Sequence, residues 1–524
     1  MDNKQLVKIL RESADLAAKL GSVRLPDGRT LSSALDIEGI QFWEAIAVEV
    51  SLYQLPDVLR PDRKKWLLAR KALSLFRAAL SRVRKGSLLR KTPRDRVNWP
   101  MRPLLFLGFT DYIYRDVLKP VVERMKARSD VHVCAVHSDS GCKKNDERMS
   151  IWEYYDAGVK LRASAVCRQL HSVQRLLSAE SVSRALVATG HEHEAKRFHD
   201  LLCWVLGDRL PTLVEEALIA KNVIEDLKPR LIVSPDVADF RTRVYFLLGK
   251  RLGIPLLDVQ FGTYADEAVE WRFFLADQVA VWGRESQRVL ATHGVPPERM
   301  SITGSPKHDG LFRFSADDIR QIRARLGAGK YHTMIVFAST HFGNEKHQRD
   351  IYNSLEKAIF KAASQTPELC LVVKPHPLLS LSGSARNLEK SCRNIVFADP
   401  KENIADLIAA SDAVVLVGST ATFDALIANK LTICPAFPGW TWNEVYEATG
   451  AVVVPRNEED LLKVFKTACT AGSRDLLDAR ARARQSFLDK HVYIPDGQAA
   501  ARIESIAVKM AAAQPHKPNT PGEA

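Results

Sequence analysis

From residue 103 onward the chain alternates short apolar, β-branched runs with amphipathic helical stretches. PLLFLGF (103–109), VHVCAVHS (131–138), LIVSPD (231–236), IPLLDVQFG (254–262), DQVAVWG (277–283) and MSITGSP (300–306) read as strands or strand ends. Patterns such as IYRDVLKPVVERMKA and RTRVYFLLGKRLG lie between them as helices. A second series follows the helix SADDIRQIRARLG, where Ser315 is the expected N-cap. Its strands are TMIVFAST (333–340), LCLVVKPHP (369–377), NIVFAD (394–399), AVVLVGS (413–419), LTICPAF (431–437) and AVVVP (451–455). Runs that are apolar throughout, rather than at every second residue, are buried on both faces, as in parallel sheets covered by helices. Two such series in tandem predict an α/β chain of two Rossmann-like domains facing across a cleft.

Length agrees, because 524 residues exceed what one core can serve. The expected divisions are a helical, basic extension over 1–98, a first Rossmann-like domain over 99–312 and a second over 313–485. A C-terminal helix packing back over 486–510 and a Pro-rich, disordered tail over 511–524 complete the expectation. The N-terminus is amphipathic and lacks the apolar stretch of a signal peptide. No run of apolar residues is long enough to predict a membrane-spanning helix. Eight cysteines are scattered with no CxxC pair, which fits reduced thiols in a cytoplasmic setting.

The net charge of +13 is concentrated: residues 60–96 hold 14 Lys/Arg against two Asp. With the remainder near neutral, a general nucleic-acid surface is not expected. Trp66, Leu67, Leu73, Phe76, Leu80 and Val83 give this cationic segment an apolar side. Such a helix suits the surface of an anionic membrane, and it equally suits packing on the protein itself with a solvated basic face.

In open parallel sheets, ligands bind beyond the carboxyl ends of the strands. In the second series those ends carry Ser339-Thr340-His341, Lys374-Pro375-His376-Pro377, Asp399 and Gly418-Ser419-Thr420. Gly418 permits close backbone approach, and the hydroxyls of Ser419 and Thr420 open a helix. Taken alone, GST is an ordinary N-cap and KPHP an ordinary turn. Placed together on one sheet, they form a cationic, hydroxyl-rich pocket suited to a phosphate. Other motifs fail. RLGAGKY (325–331) lacks the P-loop hydroxyl after its lysine, and no GxSxG elbow occurs. HEHE (191–194) with His199 has no metal-binding spacing, since on a helix His191 and His193 point to different sides.

An HP dipeptide after a strand, with a Ser/Thr pair opening a later helix, resembles GT-B-type bacterial transferases that use CMP- or CDP-activated donors. That group includes capsule Kdo transferases, bacterial sialyltransferases and CDP-glycerol glycerophosphotransferases. DVQFGTYADE (258–267), SITGSPKHD (301–309) and DGQAAARI (496–503) are similar to further pieces of the same superfamily, so the resemblance covers roughly 230–505. It implies a GT-B fold and metal-independent transfer from a nucleotide-sugar donor, CMP-Kdo first among them. The implied acceptor is a glycan or glycolipid of surface-polysaccharide assembly, reached from the inner face of the membrane. Lys374, His376, Pro377, Gly418, Ser419 and Thr420 would then bind the nucleotide, Asp424 would accept ribose hydroxyls, and Gly304, Lys307 and His308 would reach the leaving phosphate. The inverting reaction needs a base on the acceptor side. Asp111 is the leading candidate, followed by Asp236 and Asp239. The alternatives are a CDP-glycerol-type glycerophosphotransferase, a sugar-nucleotide 2-epimerase and a non-catalytic glycan-binding module.

Overall fold

The computed structural model describes residues 3–53, 101–139, 146–263, 266, 269–340, 346–376, 392–440 and 444–513. The basic segment 60–96, His341, Pro377 and all but the start of the expected tail lie outside these residues. Two compact units result: Met1–Val281, Ser286–Ser301 and Ala501–Ala524 form the first, and Trp282–Glu285 with Ile302–Ala500 the second.

The first unit opens with α1 (Asn3–Leu20), a small hairpin pairing Asp36–Ile37 with Ile40–Gln41, and α2 (Phe42–Tyr53). Leu10, Ala14, Ala17 and Leu20 recur every three or four residues and are all buried, so one face of α1 is in the core. Gly21 follows because a Cβ there would stand 2.3 Å from the Trp43 indole nitrogen. Leu20, Trp43 and Ile46 share one hydrophobic core with the sheet residues Leu105, Val136 and Ile232. The described part of the expected extension is therefore built into the first unit.

The sheet of this unit has seven strands: β1 (Leu104–Leu107), β2 (Val133–His137), β3 (Met149–Ser150), β4 (Leu231–Ser234), β5 (Leu256–Val259), β6 (Gln278–Val281) and β7 (Met300–Ile302). Their order is β3-β2-β1-β4-β5-β6-β7, and the pairs from β3 through β6 are parallel. β1, β4 and β5 are buried along their whole length, which is why they read as apolar runs broken only by Ser234 and Asp258. The chain reverses direction across the sheet between β1 and β4. The helix leaving β1 runs from Asp111 to Lys126 but widens to a π-turn over Tyr114–Leu118; a second π-turn spans Val205–Arg209. Pro120 and Pro211 each stand two residues beyond such a turn. Proline has no N–H to give and crowds the carbonyl four residues back, so one residue is added to the turn before it.

In the second unit, β8 (Thr333–Ala338), β9 (Leu369–Lys374), β10 (Ile395–Phe397), β11 (Ala413–Leu416) and β12 (Leu431–Ile433) make a parallel sheet ordered β10-β9-β8-β11-β12. Here the order reverses between β8 and β11. Ser315 caps the helix Ala316–Arg325 as expected, in a capping box with Asp318. The expected strand 451–455 is not one. It meets β12 through a single parallel bridge, Ile433 with Val453, a contact too short to make a ladder. The short strand β3 and the N-terminal hairpin carry too few apolar residues to have been read from sequence. The last helix, α3 (Ala499–Ala512), has its start in the second unit and its length from Ala501 in the first. Asp309 caps it by accepting from the Ala499 and Ala500 amides at 3.0 and 2.8 Å.

Candidate functional site

Each sheet reverses its strand order at one point, and the expected polar residues gather at those two points. The reversal is where neighbouring loops leave in opposite directions and open a crevice.

In the first unit the crevice lies beyond β1 and β4 and is walled by Gly108, Thr110, Ser234, Asp236 and Asp239 among others. A side chain at Gly108 would meet the Tyr114 ring at 2.6 Å, so only glycine lets the chain turn here. Asp111, Asp236 and Asp239 are thus brought to one strand-end region, but their surroundings differ. Asp111 is exposed and paired with Arg148 at 2.7 Å. Arg148 also binds Asp146 at 2.6 Å and the Gly108 carbonyl at 2.7 Å, which holds the Asp146 carboxyl down at about 2. Asp239 caps the helix Phe240–Arg251, accepting from the Arg241 amide at 2.8 Å, and forms an ion pair with the Arg241 guanidinium. Among the described residues no cationic side chain forms an ion pair with Asp236. Its Oδ1 accepts from the Ala238 and Asp239 amides at 3.1 and 3.2 Å. Burial, and after it the Asp239 charge, push its carboxyl up to about 6. A carboxyl raised in this way can take up a proton near neutral pH.

In the second unit the strand ends of β9, β8 and β11 lie side by side. The Ser339 hydroxyl accepts from the His376 amide at 2.7 Å and fixes the path of the chain after β9. His376 is half-buried. Lys374 is turned inward, its ammonium donating to the Pro400 carbonyl at 2.8 Å. That bond ties the end of β9 to the loop after β10. Gly418 takes φ of 70°, a left-handed conformation that favours glycine. Ser419 accepts from the Ala421 amide at 3.2 Å, while Thr420 is exposed and makes no cap.

Asp424, on the short helix Ala421–Ile427, is 1% exposed. It accepts from the Lys307 ammonium at 2.7 Å and lies 3.6 Å from His308 Nε2. His308 is buried against Trp282, and burial takes its imidazole down to about 4. Asp424 and His308 are thus both buried, side by side. In the described structure Lys307, His308 and Asp424 tie the segment after Gly304 to the helix that follows Ser419 and Thr420.

His191 and His193 do not point to different sides: their rings stack nearly parallel, 6.4 Å apart, on a 3-10 turn. Among the described residues no group of three His, Cys, Asp or Glu side chains is placed to hold a metal ion. The described cysteines are all free. Among the described residues no helix is long and apolar enough to cross a membrane. Sequence reasoning missed Arg148 and Arg241, each of which binds the carboxylate two residues before it and also reaches another strand end, at Asp111 and Ser138, and it missed Asp258. The last had a visible signal, a carboxylate inside the apolar run LLDV.

Two parallel α/β sheets in tandem give the chain the fold of GT-B enzymes. Residues 250–508, just under half of the chain, match the family model described as CDP-glycerol:poly(glycerophosphate) glycerophosphotransferase. Among solved structures, the wall teichoic acid polymerase TagF is similar at 14% identity with a TM-score of 0.50, over 85% of this chain and 98% of that one. A UDP-N-acetylglucosamine 2-epimerase is similar at 12% identity with a TM-score of 0.50, over 81% of this chain and 100% of that one. No curated protein matches the chain.

Proposed function

We propose that the protein transfers a polyol phosphate from a CDP-linked donor, glycerol phosphate being the type case, to a hydroxyl of a glycan or glycolipid acceptor. The carrying observation is the family match over 250–508, which takes in the strand ends of the whole second sheet. It reverses the order of the sequence reading, in which CMP-Kdo came first and CDP-glycerol second. Fold likeness to an epimerase at 12% identity supports the architecture alone.

On this reading Ser339, His376, Gly418, Ser419 and Thr420 bind the donor's nucleotide and phosphates, with Lys374, Lys307, His308 and Asp424 shaping the wall behind them. Asp236 is the base, with Asp239 and Asp111 as its charged surroundings. The acceptor oxygen attacks the β-phosphorus of the donor and forms the new O–P bond. The bond from that phosphorus to the bridging oxygen breaks, CMP departs with the electron pair, and the hydroxyl proton passes to Asp236. Transfer is read as independent of metal, so activity is expected to survive EDTA. The segment 60–96 is read as an anionic-membrane contact that brings the enzyme to a lipid-linked acceptor.

Isothermal titration with CMP, CDP and UDP, joined to detection of CMP release from CDP-glycerol, tests the proposal. Cytidine nucleotides should bind at least tenfold tighter than UDP, and His376→Ala should remove that binding. Preference for UDP, or binding untouched by His376→Ala, would sink the reading of the donor pocket.

A further inference from the structure

Behind the crevice of the first unit stands a carboxyl that the reaction above does not use. Asp258 closes the apolar run of β5, is 0% exposed, and neither of its carboxyl oxygens has a hydrogen-bond partner. Its register partner on β4 is Ser234, a residue of the crevice wall. Register partners on neighbouring strands present their side chains to the same face of the sheet, so Asp258 stands directly beside that wall. The charge of Asp236 reaches it.

A carboxylate removed from water, without a cation or an N–H donor, carries a penalty far above that of its neutral form. Burial, and after it the Asp236 charge, push the Asp258 carboxyl well above the usual carboxylate range and favour the neutral acid, whose O–H makes no hydrogen bond within the described structure. Asp236 follows the register partner Ser234 by two residues; its Oδ1 takes two backbone amides, and Oδ2 takes no hydrogen bond from the described residues. The other groups whose charge acts with Asp236 are Tyr112 after β1, Asp239 and Arg241 on its own loop and helix, and Glu270 on the turn Val269–Phe273. Of these only Arg241 is a cation, and it is held by Asp239.

We propose that Asp258 is a positioning residue for Asp236, a neutral acid set in the sheet whose O–H reaches the Asp236 carboxylate and orients it toward the acceptor, so that the two carboxyls carry one proton between them. An O–H···O⁻ bond is among the stronger contacts available to a buried carboxylate. It forms only when Asp236 is ionised, the state a base must be in before it takes a proton. The inference rests on reading Asp236 as the base.

Infrared titration of the full chain tests the pair without substrate. Wild type should retain a protonated-carboxyl band at pH 8 that Asp258→Asn removes; absence of any such band overturns the proposal. The titration of Asp236, isolated as the difference from Asp236→Asn, should move up by about one pH unit in Asp258→Leu, which has no donor. It should stay near the wild-type value in Asp258→Asn, whose amide still donates. An unmoved titration in Asp258→Leu overturns the proposal, and Asp258→Ala carries the same comparison should the leucine variant fail to fold. CMP release from CDP-glycerol in Asp258→Leu should show its acid limb moved upward with the same sign. If wild type releases no CMP from any cytidine donor, the functional reading fails while the infrared result still decides the pair.

Discussion

Asp236 ties activity to stability through a single carboxyl. Its proton affinity in the fold, about 6, lies above the unfolded value near 4, so the folded chain binds more protons between those limits. Stability contributed by the neutral form is full below about pH 4 and is lost as pH rises toward 6. Asp236→Asn should remove this slope and raise stability at pH 7 by on the order of 2 kcal/mol, measured by urea unfolding at several pH values. The same substitution should lower transfer at least 100-fold, because the proton of the attacking hydroxyl then has no acceptor. Asp111→Asn should cost less than about tenfold, since that carboxylate is exposed and already paired with Arg148. Wild-type activity should rise through about pH 6 as Asp236 ionises. A profile flat from pH 5 to pH 8 would show that another group takes the proton.

The elements were legible where burial is uniform and obscure where it is not. β1 and β11 were found because each is apolar from end to end, and β4 and β8 because only a terminal residue of each, Ser234 and Thr333, is polar. Val453 was misread because AVVVP has a strand's composition but only one bridge to β12. The π-turns carried a signal, a proline inside a helical pattern, that was available and unused. The capping of α3 shows what local reading misses: Asp309 is some 190 residues from the amides it accepts. Asp309→Ala should lower the denaturation midpoint by about 1 kcal/mol in free energy, as for other lost N-caps. An unchanged midpoint would mean that the helix is held by its packed face alone.

At the scale of the molecule, the two-sheet architecture could be read from the sequence, but the strand order could not. No residue in LIVSPD announces that β4 adds on the far side of β1 from β2, yet that step makes the crevice and gathers Asp111, Asp236 and Asp239. Candidate residues chosen by polarity at strand ends stand where the two sheets reverse their strand order, beside partners such as Arg148, Pro400 and Trp282 that no local reading supplies. The basic segment carries its own expectation: replacing the 14 Lys/Arg of 60–96 by Gln should abolish sedimentation with phosphatidylserine vesicles and leave CMP release from a soluble acceptor intact. Undiminished sedimentation would refute the membrane reading.

The first unit is discontinuous along the chain, resuming only at Ala501 after the whole of the second. Glu504 on that last stretch is clasped by Arg124 and Arg128, and the Ala511 carbonyl by Arg230, so the closing helix is bound to groups translated nearly four hundred residues earlier at the widest. Most domains finish folding as they emerge from the ribosome. This one cannot close until the segment from Ala501 has been translated, which makes the nascent chain, rather than the folded protein, the form most in need of a chaperone.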